Sequence, residues 1–169
     1  MAIMSFCAEE IIDRAIEIEQ TAKEFYRNAA ISTKNDTIHS FFETLAVIEG
    51  EHERTFREIK MNLSENERQV EINDPGNEML FYLDGLKEIQ AWEARSGNGD
   101  EENNESTREV IRTALRAEKE TVRFYTFLYD YVPPARGLDK VDAVIREERN
   151  HVAQLQNVLD RMEGITRER

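Results

Sequence analysis

Cysteine is nearly missing from this sequence: Cys7 stands alone. One thiol can form no intramolecular disulfide and cannot supply a four-cysteine metal site, and it suits a reducing compartment. Cys7 therefore reads as a small apolar residue near a helix start. Proline and glycine are scarce too, at 3 and 7 residues in a chain of 169, so little interrupts regular structure and a helical protein is expected. No run of roughly 18 apolar residues exists to cross a membrane. The N-terminal MAIMSFCAEE lacks the basic-then-apolar order of a secretion signal, so a soluble, cytoplasmic chain is expected. Positive charge is outnumbered, 22 Lys and Arg against 35 Asp and Glu, for a formal net charge of -13. Repulsion by a polyanion argues against a nucleic-acid partner. The length fits a single domain, 1–169, with a sizeable core.

What the chain has in quantity is apolar residues at helical spacing. Ile38, Phe42 and Leu45 are followed by Phe56, Ile59 and Leu63, and the gap on that face is filled by Glu49 and His52. Residues near 8–31 place Ile12, Ala15, Ala22, Tyr26 and Ala29 around Glu19. Residues near 106–131 place Ile111, Ala114, Thr121, Tyr125 and Leu128 around Glu118. Residues near 138–163 place Val141, Val144, Leu155, Val158 and Met162 around Glu148 and His151. Each predicted helix thus carries ionisable groups on the face that should be apolar.

The breaks between helices are legible. Ser32 to Asp36 separates the first pair, with Asp36 as the expected N-cap. Val132-Pro133-Pro134-Ala135-Arg136-Gly137 separates the last pair. Between these hairpins, about 8–62 and 106–163, runs a connection of about 63–105. There Asn73-Asp74-Pro75-Gly76-Asn77 reads as a turn, Glu78 to Ala94 as an additional helix, and Ser96 to Ser106 as an exposed, mobile loop.

An internal repeat organises all of this. Ala15, Glu19, Phe25 and Tyr26 reappear as Ala114, Glu118, Phe124 and Tyr125, and Glu49-x-x-His52 reappears as Glu148-x-x-His151, every pair 99 positions apart. One helical hairpin has been used twice, which predicts a four-helix bundle with a pseudo-twofold axis. Glu and His three apart share one face of a helix and can bind one metal or two adjacent ones. Four carboxylates converging in an apolar core would repel one another, and burying each charge costs several kcal/mol. Two divalent cations would neutralise them. Carboxylate with imidazole suits iron, manganese or zinc; magnesium and calcium prefer oxygen alone.

One Glu from each of two helices, with Glu-x-x-His from each of the other two, is the di-iron pattern of ferritin-like bundles. On these residues the chain resembles the rubrerythrin and bacterioferritin branch of the ferritin-like superfamily. The resemblance covers both hairpins and implies an all-α ferritin-like four-helix bundle with two iron ions, zinc or manganese being able to substitute. It further implies that Glu49 and Glu148 bridge the metals, that Glu19 with His52 completes one and Glu118 with His151 the other, and that Tyr26 and Tyr125 hydrogen-bond to ligand carboxylates. Three positions depart from the pattern. Thr121 stands where rubrerythrins carry a further glutamate. Gly50 stands where bacterioferritins have a haem-binding methionine, so no haem is expected. A single cysteine cannot build a rubredoxin domain, so electrons must come from a separate donor protein.

The activity implied is that of an oxidoreductase, a peroxidase or ferroxidase acting on peroxide or dioxygen. The alternatives are an iron-binding, iron-delivery or storage-associated protein without efficient turnover, and a purely structural metal such as zinc. The resemblance also implies a homodimer. His39 lies off the ligand stripe and reads as a solvated or edge histidine. Trp92, with Leu80, Phe81, Leu83 and Leu86, reads as packing against the bundle or a dimer partner, and Asp100-Glu101-Glu102 as a solvated loop.

Overall fold

The structure is a computed structural model that describes residues 4–74, 76–77, 80–96 and 104–165. Strand β1 (Met4–Cys7) leads into helix α1 (Ala8–Ser32) and helix α2 (Asp36–Asn62), followed by one turn of helix α3 (Glu65–Arg68) and strand β2 (Glu71–Asp74). Helix α4 (Leu80–Ser96) precedes α5 (Asn104–Tyr129), a 3-10 turn (Pro134–Arg136) and α6 (Leu138–Met162). The predicted all-α bundle of two hairpins is what forms: α1 packs on α2, α5 packs on α6, and α4 lies against α5 and α1.

Local chemistry sets the ends of these helices. Cys7 caps α1 in an extended conformation, and the Glu10 carboxylate reaches back to accept from its backbone N–H at 2.8 Å. Asn35, not the expected Asp36, caps α2: its side chain accepts from Ile38 N–H at 3.0 Å. Asp36 instead sits in the first turn, where its charge faces the positive end of the helix dipole. Gly137 opens α6 at φ +117, and a Cβ there would lie 2.9 Å from Ile59 Cγ1. The turn therefore lies hard against α2, and only glycine fits it.

The connection differs from its sequence reading in two ways. Asn73 and Asp74, expected in a turn, belong to β2, which pairs antiparallel with β1 so that Phe6 faces Ile72. Burial drives this pairing: Ile72 is enclosed with Ile11, Ile12 and Leu63, and a four-residue strand carries no helical period to announce it. The turn follows at Gly76–Asn77, with Asn77 at positive φ. The additional helix begins by Leu80 and runs on to Ser96, and Asn104 to Ser106, expected in the loop, already belong to α5. Residues 97–103 of that loop, and the side chains of Leu80, Phe81 and Trp92, lie outside the described residues. Leu86 and Ile89 are buried.

The core divides into two apolar clusters. One gathers Ala15, Phe56, Tyr125, Leu128, Val141 and Val144; the other gathers Tyr26, Phe42, Leu45, Ile111, Ala114 and Leu155. Along all four long helices the ionisable residues fall between positions of the first cluster and positions of the second. A charged layer is thus clamped between two greasy ones.

Candidate metal centre

All six predicted residues meet in that layer. Glu19, Glu49, Glu148 and His151 are each 1% exposed, His52 2% and Glu118 4%. Two four-residue groups can each offer ligand atoms within 4.8 Å of one another: Glu19, Glu49, His52 and Glu148, and then Glu49, Glu118, Glu148 and His151. Glu49 and Glu148 belong to both groups. The His52 and His151 rings stack with centroids 5.9 Å apart.

The two shared glutamates straddle the histidines. Glu49 Oε2 lies 3.0 Å from Nδ1 of His52, and its Oε1 lies 3.2 Å from Nδ1 of His151. Glu148 mirrors this, with Oε2 3.1 Å from His151 Nδ1 and Oε1 2.8 Å from His52 Nδ1. The contacts within a helix are hydrogen bonds. Those across the axis are close enough but misaligned, so Glu49 Oε1 and Glu148 Oε1 are buried with no hydrogen-bond partner among the described residues. Orphaned buried carboxylate oxygens are costly in a core this dry. Their inward position on each shared glutamate fits a cation between the two groups.

Tyrosines close the layer from both ends, and they do so crosswise. Tyr26 of α1 donates its hydroxyl to Glu118 Oε1 of α5, and Tyr125 of α5 donates to Glu19 Oε1 of α1. Burial, then the Glu118 charge, raises Tyr26 well above the usual phenol range, and burial with the Glu19 charge does the same for Tyr125. Both hydroxyls keep their protons and act as donors.

The electrostatics show how this layer is neutralised. Burial, followed by the charges of Glu148 and Glu49, pushes Glu19 and Glu118 well above the carboxylate range. Burial would raise Glu148 too, but the hydrogen bond from His151 and the close approach of the His52 ring hold it well below its ordinary value. Burial opposes charge on the imidazoles, yet the carboxylates packed against them outweigh it. His52 is raised strongly and His151 is pushed up to about 11. Protons can neutralise the layer; so can divalent cations.

Sequence reasoning missed Glu147. It is exposed, but its Oε2 lies 2.8 Å from Nε2 of the buried His52. Only its position beside Glu148 could have signalled this, and acidic residues are too common here for adjacency to stand out. Glu53 was missed as well. It is buried among Lys23, Gln20 and Arg57, and their hydrogen bonds overcome burial to hold it at about 2. His39 stands away from the site, as expected, with Nδ1 2.8 Å from the carbonyl of Ala30. Thr121 donates to the Ala117 carbonyl. It lines a small pocket roofed by α4, where Ile18, Ala22, Leu86 and Ala117 surround about 20 Å³ of space reaching Glu118.

Residues 10–99, more than half of the chain, match the sequence profile of the rubrerythrin family. This chain belongs to the rubrerythrin family. The membership implies a di-iron centre, and the buried carboxylate and histidine groups are of a kind that binds metal. A solved structure from Thermotoga maritima, provisionally described as a ferritin-like diiron-carboxylate protein, superposes with a TM-score of 0.71 at 20% sequence identity. The match covers 91% of this chain and 95% of that one. Such low identity speaks for the shared ferritin-like fold. No curated protein matches the sequence significantly. Among the described residues of this rubrerythrin-family chain, no helix is long and apolar enough to cross a membrane.

Proposed function

We propose that the chain holds two iron ions between Glu19, Glu49, His52, Glu118, Glu148 and His151, and that it reduces peroxide or dioxygen there as a peroxidase or ferroxidase. The observation that carries this reading is the pair of straddling glutamates, each with one oxygen toward each histidine and one of those oxygens orphaned. Glu49 and Glu148, shared by both four-residue groups, would serve both ions; Glu19 with His52, and Glu118 with His151, would complete the two positions.

Two ferrous ions held there would supply two electrons together, the number that one O–O bond needs for cleavage. The rest is the work of the chain. Tyr26 and Tyr125 each occupy one oxygen of a terminal glutamate, which leaves the other oxygen to face a metal. The two apolar clusters exclude water from the layer. The pocket beside Glu118 has room for about one water-sized molecule. Hydrogen peroxide, two electrons and two protons give two waters, so repeated turnover needs a reductant. Cys7 alone cannot build a cysteine-ligated iron centre, so a separate donor protein is the expected source.

The experiment is multiple-turnover consumption of hydrogen peroxide by iron-loaded protein with an artificial electron donor. Sustained consumption beyond one equivalent per site supports the reading. Oxidation that happens once and then stops, with reductant still present, overturns it in favour of iron binding or delivery. For the site itself, Glu49→Ala or Glu148→Ala is expected to lower bound metal well below two per chain, and unchanged stoichiometry in both variants would refute the bridging assignment.

A further inference from the structure

The 99-residue repeat pairs Glu19 with Glu118, Glu49 with Glu148, His52 with His151 and Tyr26 with Tyr125. It pairs Glu147 with Ile48. The principal contacts inside the layer have twofold counterparts: the crossed tyrosines, the bonds within each Glu-x-x-His and the cross-axis approaches. The contact between Glu147 Oε2 and His52 Nε2 at 2.8 Å breaks that symmetry, because the side chain at position 48 is a hydrocarbon and can accept nothing.

We propose that Glu147 makes the two metal positions unequal, so that the position completed by His52 is held more tightly and the position completed by His151 fills second. This rests on the two-metal reading above. A carboxylate on Nε2 holds a proton there, so it is Nδ1, 3.0 Å from Glu49 and 2.8 Å from Glu148, that gives up its proton to bind a metal. It also locks the ring orientation and raises the basicity of the ligand nitrogen. Losing such a partner typically costs about 10- to 100-fold in metal affinity. Glu147 is a positioning residue rather than a ligand: it touches only the far side of the ring, and its side chain is 57% exposed. That exposure weakens the pair by solvent screening, so the lower half of the range is expected.

Cobalt(II) tests this through its own absorption, independently of turnover. Each position is read alone: His151→Ala leaves the His52 position, and His52→Ala leaves the His151 position. The first is expected to bind cobalt roughly 10-fold or more tightly than the second. Adding Glu147→Ile should remove that advantage in the His151→Ala background and change nothing in the His52→Ala background. Glu147→Gln, whose amide oxygen can still accept, should restore part of it. Equal affinities in the two single variants, or an equal effect of Glu147→Ile in both backgrounds, overturns the proposal. Should a histidine variant fail to fold, Ile48→Glu in the otherwise intact chain gives the second reading, since supplying the missing acceptor should tighten the weaker of two cobalt steps. An unchanged weaker step counts against the proposal. Failure of the two-metal reading looks different, as wild-type protein would then bind fewer than two cobalt ions.

Discussion

The hydroxyl of Tyr26 on α1 donates to the Glu118 carboxyl on α5, 92 positions further along the chain, while Tyr125 returns the same bond to Glu19. Each hairpin therefore holds in place a carboxylate that belongs to the other. Replacing Tyr26 by Phe keeps the ring packed against Phe25 and Phe42 and removes only the donor. Tyr26→Phe is expected to destabilise the protein by about 1–2 kcal/mol, as is Tyr125→Phe, each measured by urea unfolding. A change within error for both would show that these bonds contribute nothing net.

Acid and base should act on the metal-stripped protein in a definite direction. His151 is raised from 6.5 to about 11 in the folded chain, so its stabilising effect is complete below pH 6.5 and is lost as pH climbs toward 11. The raised Glu19 and Glu118 act with the same sign, favouring the folded state at low pH and ceasing to as they ionise. The melting temperature of chelator-treated protein should fall as pH is raised from 6.5, and added divalent metal should flatten the decline. A melting temperature that rises over that range would contradict the assigned protonation.

The pocket under α4 offers a test of access. Ala22→Leu projects a larger side chain into space bounded by Ile18, Thr121 and Glu118, at a cost of about 1–3 kcal/mol from overpacking. Metal content should be unchanged while oxidation of the ferrous protein by dioxygen, followed by stopped-flow absorption, becomes slower. Identical rates in variant and wild type would mean that the oxidant arrives by another route.

Gly137 makes the hinge between α5 and α6 sensitive to a single methyl group. Gly137→Ala must accommodate both φ +117 and a Cβ 2.9 Å from Ile59 Cγ1, a strain of about 1–3 kcal/mol. Thermal unfolding should report the loss. A variant as stable as the parent would show that the turn relaxes freely.

The helices and the six meeting residues were legible because both rest on periodicity. A charged residue on an apolar stripe is conspicuous, and a repeat of 99 positions makes it more so. The β1–β2 ribbon was not legible, since Phe6 and Ile72 lie far apart in the sequence and strands of four residues carry too little pattern to announce their pairing. The cap at Asn35 was missed by one residue, because Asn and Asp are nearly equivalent as caps and the choice turns on where the first helical φ falls. Glu147 escaped for the opposite reason to its neighbours. A search for sameness between the two halves passes over the place where they differ.

An arrangement in which each hairpin supplies what the other needs is closed under a half-turn. Two separate copies of one hairpin, placed about that axis, would present every carboxylate, imidazole and phenol found in the layer, but they would be bound to remain identical. Joining them in a single chain lifts that obligation: position 147 can acquire an acid while position 48 stays aliphatic, and α4 can cover one flank of the bundle without being repeated on the other. Duplication built a site of equals, and covalent linkage made it possible for the halves to specialise.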